Sequence, residues 1–186
     1  NTIGVNEPVK LTWTSDQNIT FEKIITLDEN YLFSVDQRVI NNSGLSFDLY
    51  PYGLSKRQGI PEMQNFFILH EGPLSITDGV LEEYDYDDLK DDKKIKHSSV
   101  GGWIGMTDKY WQTAIIPNQN EPVQQTYSYS FVDNIDNFQT DIVGERIAVS
   151  NNASISHNFK IFAGPKIVNI IDKYMEEYGF DGFDRS

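Results

Sequence analysis

The chain of 186 residues contains no cysteine. That excludes a disulfide framework, thiolate zinc sites and thiol nucleophiles, and leaves the compartment open. Histidine is nearly as scarce: His70, His97 and His157 lie far apart, and no HxH or HxxxH spacing joins them. A metal centre or a histidine-based catalytic group therefore has no signal here. Cations are outnumbered, with 15 Lys and Arg against 28 Asp and Glu and a formal net charge of -13. Nucleic-acid binding needs clustered Lys and Arg, so no nucleic-acid partner is expected, and repulsion from anionic lipid headgroups is expected as well. No run approaches the ~20 apolar residues of a membrane-spanning helix. The chain begins at Asn1 with neither an initiator methionine nor a signal-like apolar segment, the mark of a trimmed or partial product. A nucleophile elbow and a phosphate-binding Gly-Lys loop are also missing, and Gly101 to Gly105 lacks the surrounding βαβ unit of a dinucleotide site.

What is present is mostly period-two alternation. Val9, Leu11 and Trp13 alternate with polar residues, Ser15 to Asn18 supply a turn, and Ile19, Phe21, Ile25 and Leu27 alternate again. Tyr31, Phe33, Val35 and Val39, then Leu45, Phe47 and Leu49, extend this into an antiparallel meander with one wet face. Tyr50 to Gly59 reads as a long exposed connection, and Phe66 to Leu69 as a short buried run. Gly79 to Asp92 is an acidic stretch with a single lysine, Lys90, expected as a solvated edge or loop. As a calcium loop it fails, because the sixth position from Asp85 is Lys90 and the twelfth is Lys96. Tyr127, Tyr129 and Phe131 pair naturally with Phe138, Thr140 and Ile142, and Ile147, Val149, Ile155, His157, Phe159 and Ile161 add further strands. At least eight strands at regular spacing argue for an all-β, mainly antiparallel sandwich or barrel. One helix is expected, over 165–178: Pro165 at its start, Ile167, Ile170, Ile171 and Tyr174 on an apolar stripe, and Gly179 at the C-cap.

The densest segment is GGWIGMTDKYWQTAIIP, Gly101 to Pro117. Ala114 to Ile116 is purely apolar, as in a strand buried on both faces. The glycines beside Trp103 allow a close backbone approach or a bulge. Trp103 and one of Tyr110 or Trp111 are expected as core anchors, since neighbours on a strand face opposite sides. Stacking of Trp103, Trp111, Tyr110 and Tyr127 on sugars is the competing use, which makes a carbohydrate-binding or mutarotase-like module the alternative function.

The same segment resembles the hallmark of the large periplasmic domain of YidC-type membrane protein insertases, in its Gly101-Gly102-Trp103 opening, its Tyr110-Trp111 pair and its ending at Pro117. FAGPKIVNIIDKYMEEYGF, Phe162 to Phe180, resembles that family's Gly164-Pro165-Lys166 entry into a helix, and Val9 to Gly44 follows its first strands. The resemblance implies a β-supersandwich similar to galactose-mutarotase-like folds, closed by a C-terminal amphipathic helix that leads towards the membrane. It implies one periplasmic domain over 1–186, the later and larger part of the full periplasmic domain, of a Gram-negative inner-membrane insertase. The implied role is non-catalytic, without cofactor or metal. The implied partners are the Sec translocon and client membrane proteins, with the membrane reached through flanking transmembrane helices. Phe66, Phe67, Leu81, Tyr84 and Tyr86 are the candidate partner surface, and Ile167, Ile170, Ile171 and Tyr174 the candidate membrane-proximal helix packing.

Overall fold

The computed structural model describes residues 2–61 and 70–185. Among these described residues fourteen strands and two helices follow in chain order. They are β1 (Val9–Thr14), β2 (Ile19–Leu27), β3 (Leu32–Asn41), β4 (Phe47–Leu49), β5 (Tyr52–Gln58), β6 (Gly72–Thr77) and β7 (Val80–Glu83); then α1 (Tyr86–Asp92), β8 (Lys94–Val100), β9 (Trp103–Thr107), β10 (Trp111–Ile116), β11 (Pro122–Val132) and β12 (Ile135–Gly144); and finally β13 (Ile147–Val149), β14 (Ala153–Pro165) and α2 (Val168–Tyr178). A short 3-10 turn, Phe183–Arg185, ends the described chain.

An eight-stranded sheet runs in the order β1-β2-β3-β14-β10-β9-β6-β7, and a four-stranded sheet in the order β5-β12-β11-β8. The opening hairpins form as the alternation predicts, with Trp13 opposite Phe21 and Phe21 opposite Val39. β14 carries the large sheet across its middle, pairing with β3 along Ala153–Phe162 and with β10 along Lys160–Pro165. The expected pairing of β11 with β12 is present, with Tyr127 opposite Thr140 and Tyr129 opposite Phe138.

Two apolar layers lie on opposite faces of the large sheet. On one face Leu32, Leu74, Ile76, Trp103, Ala114, Ile116 and Phe162 pack under Ile171 and Tyr174 of α2 and under Phe180 and Phe183. On the other, Val35, Ile104, Met106, Ile115 and Phe159 meet Tyr127, Phe138 and Ile142 of the small sheet and Tyr86 and Leu89 of α1. β9 and β10 are thus covered on both sides. That is why Ala114 to Ile116 has no polar alternation: Ala114 and Ile116 face the helix layer, and Ile115 faces the small sheet.

Four expectations are corrected. Of the acidic stretch, Val80–Glu83 is an edge strand as expected, but from Asp85 onward it is not a loop and contains α1. Tyr86 and Leu89, three residues apart, turn one face inward. The Asp88 side chain accepts the Asp85 backbone N–H at 3.0 Å, and Asp87 and Asp88 sit favourably in the first turn. The connection at Tyr50 to Gly59 is in fact the edge strand β5, whose polar residues are tolerated because one side of it meets solvent. β4 leaves the meander and pairs with β13, Phe47 opposite Val149. Pro165 does not start the helix: it ends β14 opposite Trp111, the next residue's N–H donates to the Tyr110 carbonyl at 2.8 Å, and α2 begins only at Val168. Proline suits that last paired position, where a missing N–H costs nothing. Gly179 caps α2 in the left-handed conformation at φ 68°, as expected.

Candidate contact surfaces

Within Gly101 to Pro117, Trp103 is fully buried. Its indole meets the Phe183 ring edge-on at 5.4 Å and donates from Nε1 to the Asp181 carbonyl at 3.2 Å. Gly101 and Gly102 turn the chain from β8 into β9 with φ of 67° and 72°. A Cβ on Gly102 would lie 2.1 Å from the Ile76 carbonyl oxygen, so glycine is required both for the turn and for the passage. Gln119, which the sequence did not single out, ties this segment together. Its side-chain amide accepts from Gly102 N at 3.1 Å and donates to the Gly102 and Pro117 carbonyls at 3.0 and 2.8 Å. The signal for it was only its place in the loop just after Pro117.

The expectation that one of Tyr110 or Trp111 is a core anchor is corrected. Tyr110 stands in the turn between β9 and β10 and is 65% exposed, and Trp111 is 57% exposed. Trp111 opens β10 beyond the reach of the small sheet's apolar residues, over a hollow lined by Ser55, Lys56, Arg57 and Asp108. Gly164 lies in the same region, where the Tyr31 side chain occupies the space that a Cβ would fill. Of the four aromatic residues weighed as sugar platforms, Trp103 and Tyr127 are fully buried and unable to stack on a ligand.

The strip at 81–86 is also rearranged. Leu81 packs against the helix-side core, and Tyr84 hydrogen-bonds His97 Nε2 through its hydroxyl at 2.9 Å and sets its ring edge-on to Tyr127. Tyr86 is withdrawn from any partner surface: it is buried against Phe138 at 4.7 Å, and its hydroxyl accepts from Arg57 at 3.1 Å. Burial raises its pKa, partly offset by that guanidinium. Just before the strip, Val80 on β7, an edge strand of the large sheet, is exposed. Phe66 and Phe67 lie outside the described residues.

The four helix residues divide similarly. Ile171 and Tyr174 are buried and Ile170 packs at the rim of the core, whereas Ile167 is exposed and precedes the helix. Tyr174 anchors α2 to the turn between β2 and β3, donating to Asp28 Oδ2 at 2.5 Å and lying 3.1 Å from the Asn30 carbonyl. Asp28 in turn accepts the Asn30 and Leu32 backbone N–H groups at 2.8 and 2.9 Å, so one carboxylate holds both turn and helix. Burial and the Asp28 carboxylate raise the Tyr174 pKa well above the usual phenol range.

The histidines stay apart. His70 contacts the Pro73 carbonyl at 3.2 Å, His97 meets Tyr84, and His157 Nε2 meets Glu121 Oε2 at 3.0 Å. His157 also borders a groove of about 260 Å³ with Phe21, Val39, Leu49, Ile147 and Ile155. The carboxylate in that groove, Glu22, is held by Lys10 at 2.6 Å. Among the described residues no group of three or more His, Cys, Asp or Glu is arranged to hold a metal ion, and no helix is long and apolar enough to cross a membrane.

These features define a class: a mostly antiparallel β-sandwich with a C-terminal helix laid on its large sheet. Residues 3–185 match the family described as the YidC periplasmic domain. The chain belongs to that family. Two proteins described as membrane protein insertase YidC are similar to it. The one from Rickettsia canadensis is 38% identical over 99% of this chain, and the one from Pelagibacter ubique 40% identical over 99%. The chain spans 33% and 32% of the lengths of these two relatives. Among solved structures, a "putative aldose 1-epimerase" from Klebsiella pneumoniae is similar with a TM-score of 0.46 at 11% identity, covering 94% of this chain and 54% of that one.

Proposed function

We propose that the chain is a single, non-catalytic domain on the periplasmic side of the bacterial inner membrane, serving an insertase that helps place and fold membrane proteins, alone or with the Sec translocon. The observation that carries this reading is the match to the YidC periplasmic domain over residues 3–185, together with relatives about three times as long that are described as insertases. The large sheet supports a contact role. Among the described residues its edge strand β7 has no neighbouring strand on one side and sets exposed Val80 beside Leu81, a geometry that accepts an added strand from a partner.

Complementation tests the proposal. In cells depleted of their own insertase, a full-length insertase carrying this domain is expected to restore client insertion, and the same protein with the domain deleted to restore it less well. Val80→Lys on the open edge is expected to weaken capture of translocon periplasmic segments while leaving the melting temperature in place. Equal insertion with and without the domain would reduce it to a spacer, and unchanged capture by the Val80 variant would remove β7 as the contact.

A further inference from the structure

The edges of the two main sheets are β1 and β7 of the large one and β5 and β8 of the small one. Three of them carry cations: Lys10 on β1, Lys56 and Arg57 on β5, and Lys94 and Lys96 on β8. Lysine on an edge is a common device against unwanted strand pairing. β7 has none, and consists of Val80, Leu81, Glu82 and Glu83. A tight turn at Asp78 and Gly79, both at positive φ, pairs it with β6. Among the described residues no strand pairs with its other side.

Carboxylates continue beyond the strand. Burial raises the Tyr84 pKa, and Glu82, Asp92 and Asp88 raise it further, so all three gather around that phenol. Asp78 precedes the strand and Asp85 follows it. The neighbouring cations are engaged or turned elsewhere. Lys90 is shared by Asp87 at 3.5 Å and Asp136 at 3.6 Å, and Lys93 lies 4.6 Å over the Tyr129 ring. Lys94 and Lys96 alternate with Ile95 and His97, which turn into the sandwich, and so stand on the outer face of the small sheet. On the helix side, Asp181 and Asp184 accompany Arg185 around buried Phe183. Among the described residues no lysine or arginine stands at ion-pair distance from Glu82, Glu83, Asp88 or Asp92.

Alternation divides the strand into two faces. Leu81 packs against the helix-side core, so Leu81 and Glu83 share that face, and Val80 and Glu82 share the other. On each face an apolar position is followed by an acidic one. Pairing with a second copy of β7 sets carboxylates against carboxylates or against Val80 and Leu81, which cross-strand energetics disfavour. A basic strand meets no such penalty.

We propose that β7 accepts an extended basic segment of a partner protein, with two adjacent apolar residues against Val80 and Leu81 and two adjacent Lys or Arg against Glu82 and Glu83. The proposal rests on the reading of this open edge as the domain's contact, and it names the chemistry of what is captured. Main-chain hydrogen bonds to β7 supply affinity, and the charge pairs fix register and direction. Running antiparallel to β7 the segment reads basic-basic-apolar-apolar, and running parallel it reads the reverse.

Fluorescence anisotropy of short capped peptides on the 186-residue chain tests it, using Lys-Arg-Val-Ile and Ile-Val-Arg-Lys cores. One of the two orders is expected to bind, more weakly as salt is raised, and to slow amide hydrogen exchange at Val80 to Glu83. A Glu-Glu-Val-Ile core is expected not to bind. The shuffled core Lys-Val-Arg-Ile, of the same charge, is expected to bind several-fold more weakly. Glu82→Gln with Glu83→Gln is expected to lower affinity about tenfold with the melting temperature retained. N-methylation of the peptide amides that face β7 is expected to abolish binding. Equal binding of the shuffled core would reduce the effect to general attraction by an acidic protein and overturn the proposal. So would binding that survives N-methylation or the double Gln variant, exchange protection confined to other strands, or no binding by either order. If the peptides are ignored while deletion of the domain impairs client insertion, the assignment of β7 falls and the functional reading stands. If the peptide is captured at β7 while insertion is complete without the domain, the functional reading falls and the site stands.

Discussion

Trp103 and Trp111 lie eight positions apart in one segment and have opposite physical roles. Trp103 has its indole enclosed by Ile76, Phe162 and Phe183 and its single polar atom satisfied by Asp181, so its removal leaves a cavity and an unpaired carbonyl. Trp103→Ala is expected to destabilise the fold by about 3–5 kcal/mol, read as a lowered denaturation midpoint with an unchanged slope. Trp111→Ala removes a side chain that is more than half exposed, and is expected to alter stability by no more than about 0.5 kcal/mol. Comparable losses in the two variants would mean that Trp111 is covered in solution. Strand parity does not apply to the pair, because Tyr110 stands in the turn and only Trp111 is on β10. It carries no information on whether the facing layer extends that far, and here it does not.

At the scale of elements, α2 is held by a narrow stripe. Ile171 and Tyr174 are buried and one turn apart, while Val168 and the acidic side chains face water. Ile171→Asp places an unpaired carboxylate among Leu32, Phe162 and Phe183, and is expected to cost several kcal/mol, enough to unfold or loosen the domain. Ile170→Asp at the rim is expected to cost distinctly less. An unchanged melting temperature for Ile171→Asp would mean that the helix is not docked on the sheet. This element was legible because its apolar stripe and C-cap glycine are local signals. α1 was not, although Tyr86, Leu89 and the Asp85–Asp88 spacing were present, because seven residues show too few periods to stand out against a run of charge. β5 was missed for a related reason: an edge strand with glycine, lysine and arginine resembles a loop until the hydrogen bonds to β12 are known. Exposure of Tyr110, Trp111 and Val80 and burial of Tyr86 follow from which layers end where, which no local pattern records.

At the scale of the whole molecule, the two layers share a dependence on buried phenols, and this sets how the domain responds to alkali. Burial raises the Tyr127 pKa well above the phenol range, burial and Asp28 do the same for Tyr174, and burial raises Tyr84 and Tyr86. Above a pH of ~10 the unfolded chain releases these protons while the folded one retains them. The native state then binds more protons than the unfolded state, so stability falls as the pH rises through that window. Lys166 works in the other direction: burial lowers its pKa, so up to ~10.5 the unfolded state holds its proton more firmly and stability gains with pH. One lysine opposes several tyrosines in both cores, and the tyrosines dominate. Denaturant midpoints are therefore expected to hold steady up to a pH of ~9 and then to drop steeply beyond ~10, with tyrosinate absorbance appearing together with unfolding rather than before it. Tyr127→Phe keeps the ring in the small-sheet core and removes the ionisable group, so it should flatten part of the alkaline slope. A midpoint that stays level across the phenol range, or a slope the Phe variant does not change, would show that these hydroxyls ionise without opening the sandwich, and that neither layer depends on keeping them protonated.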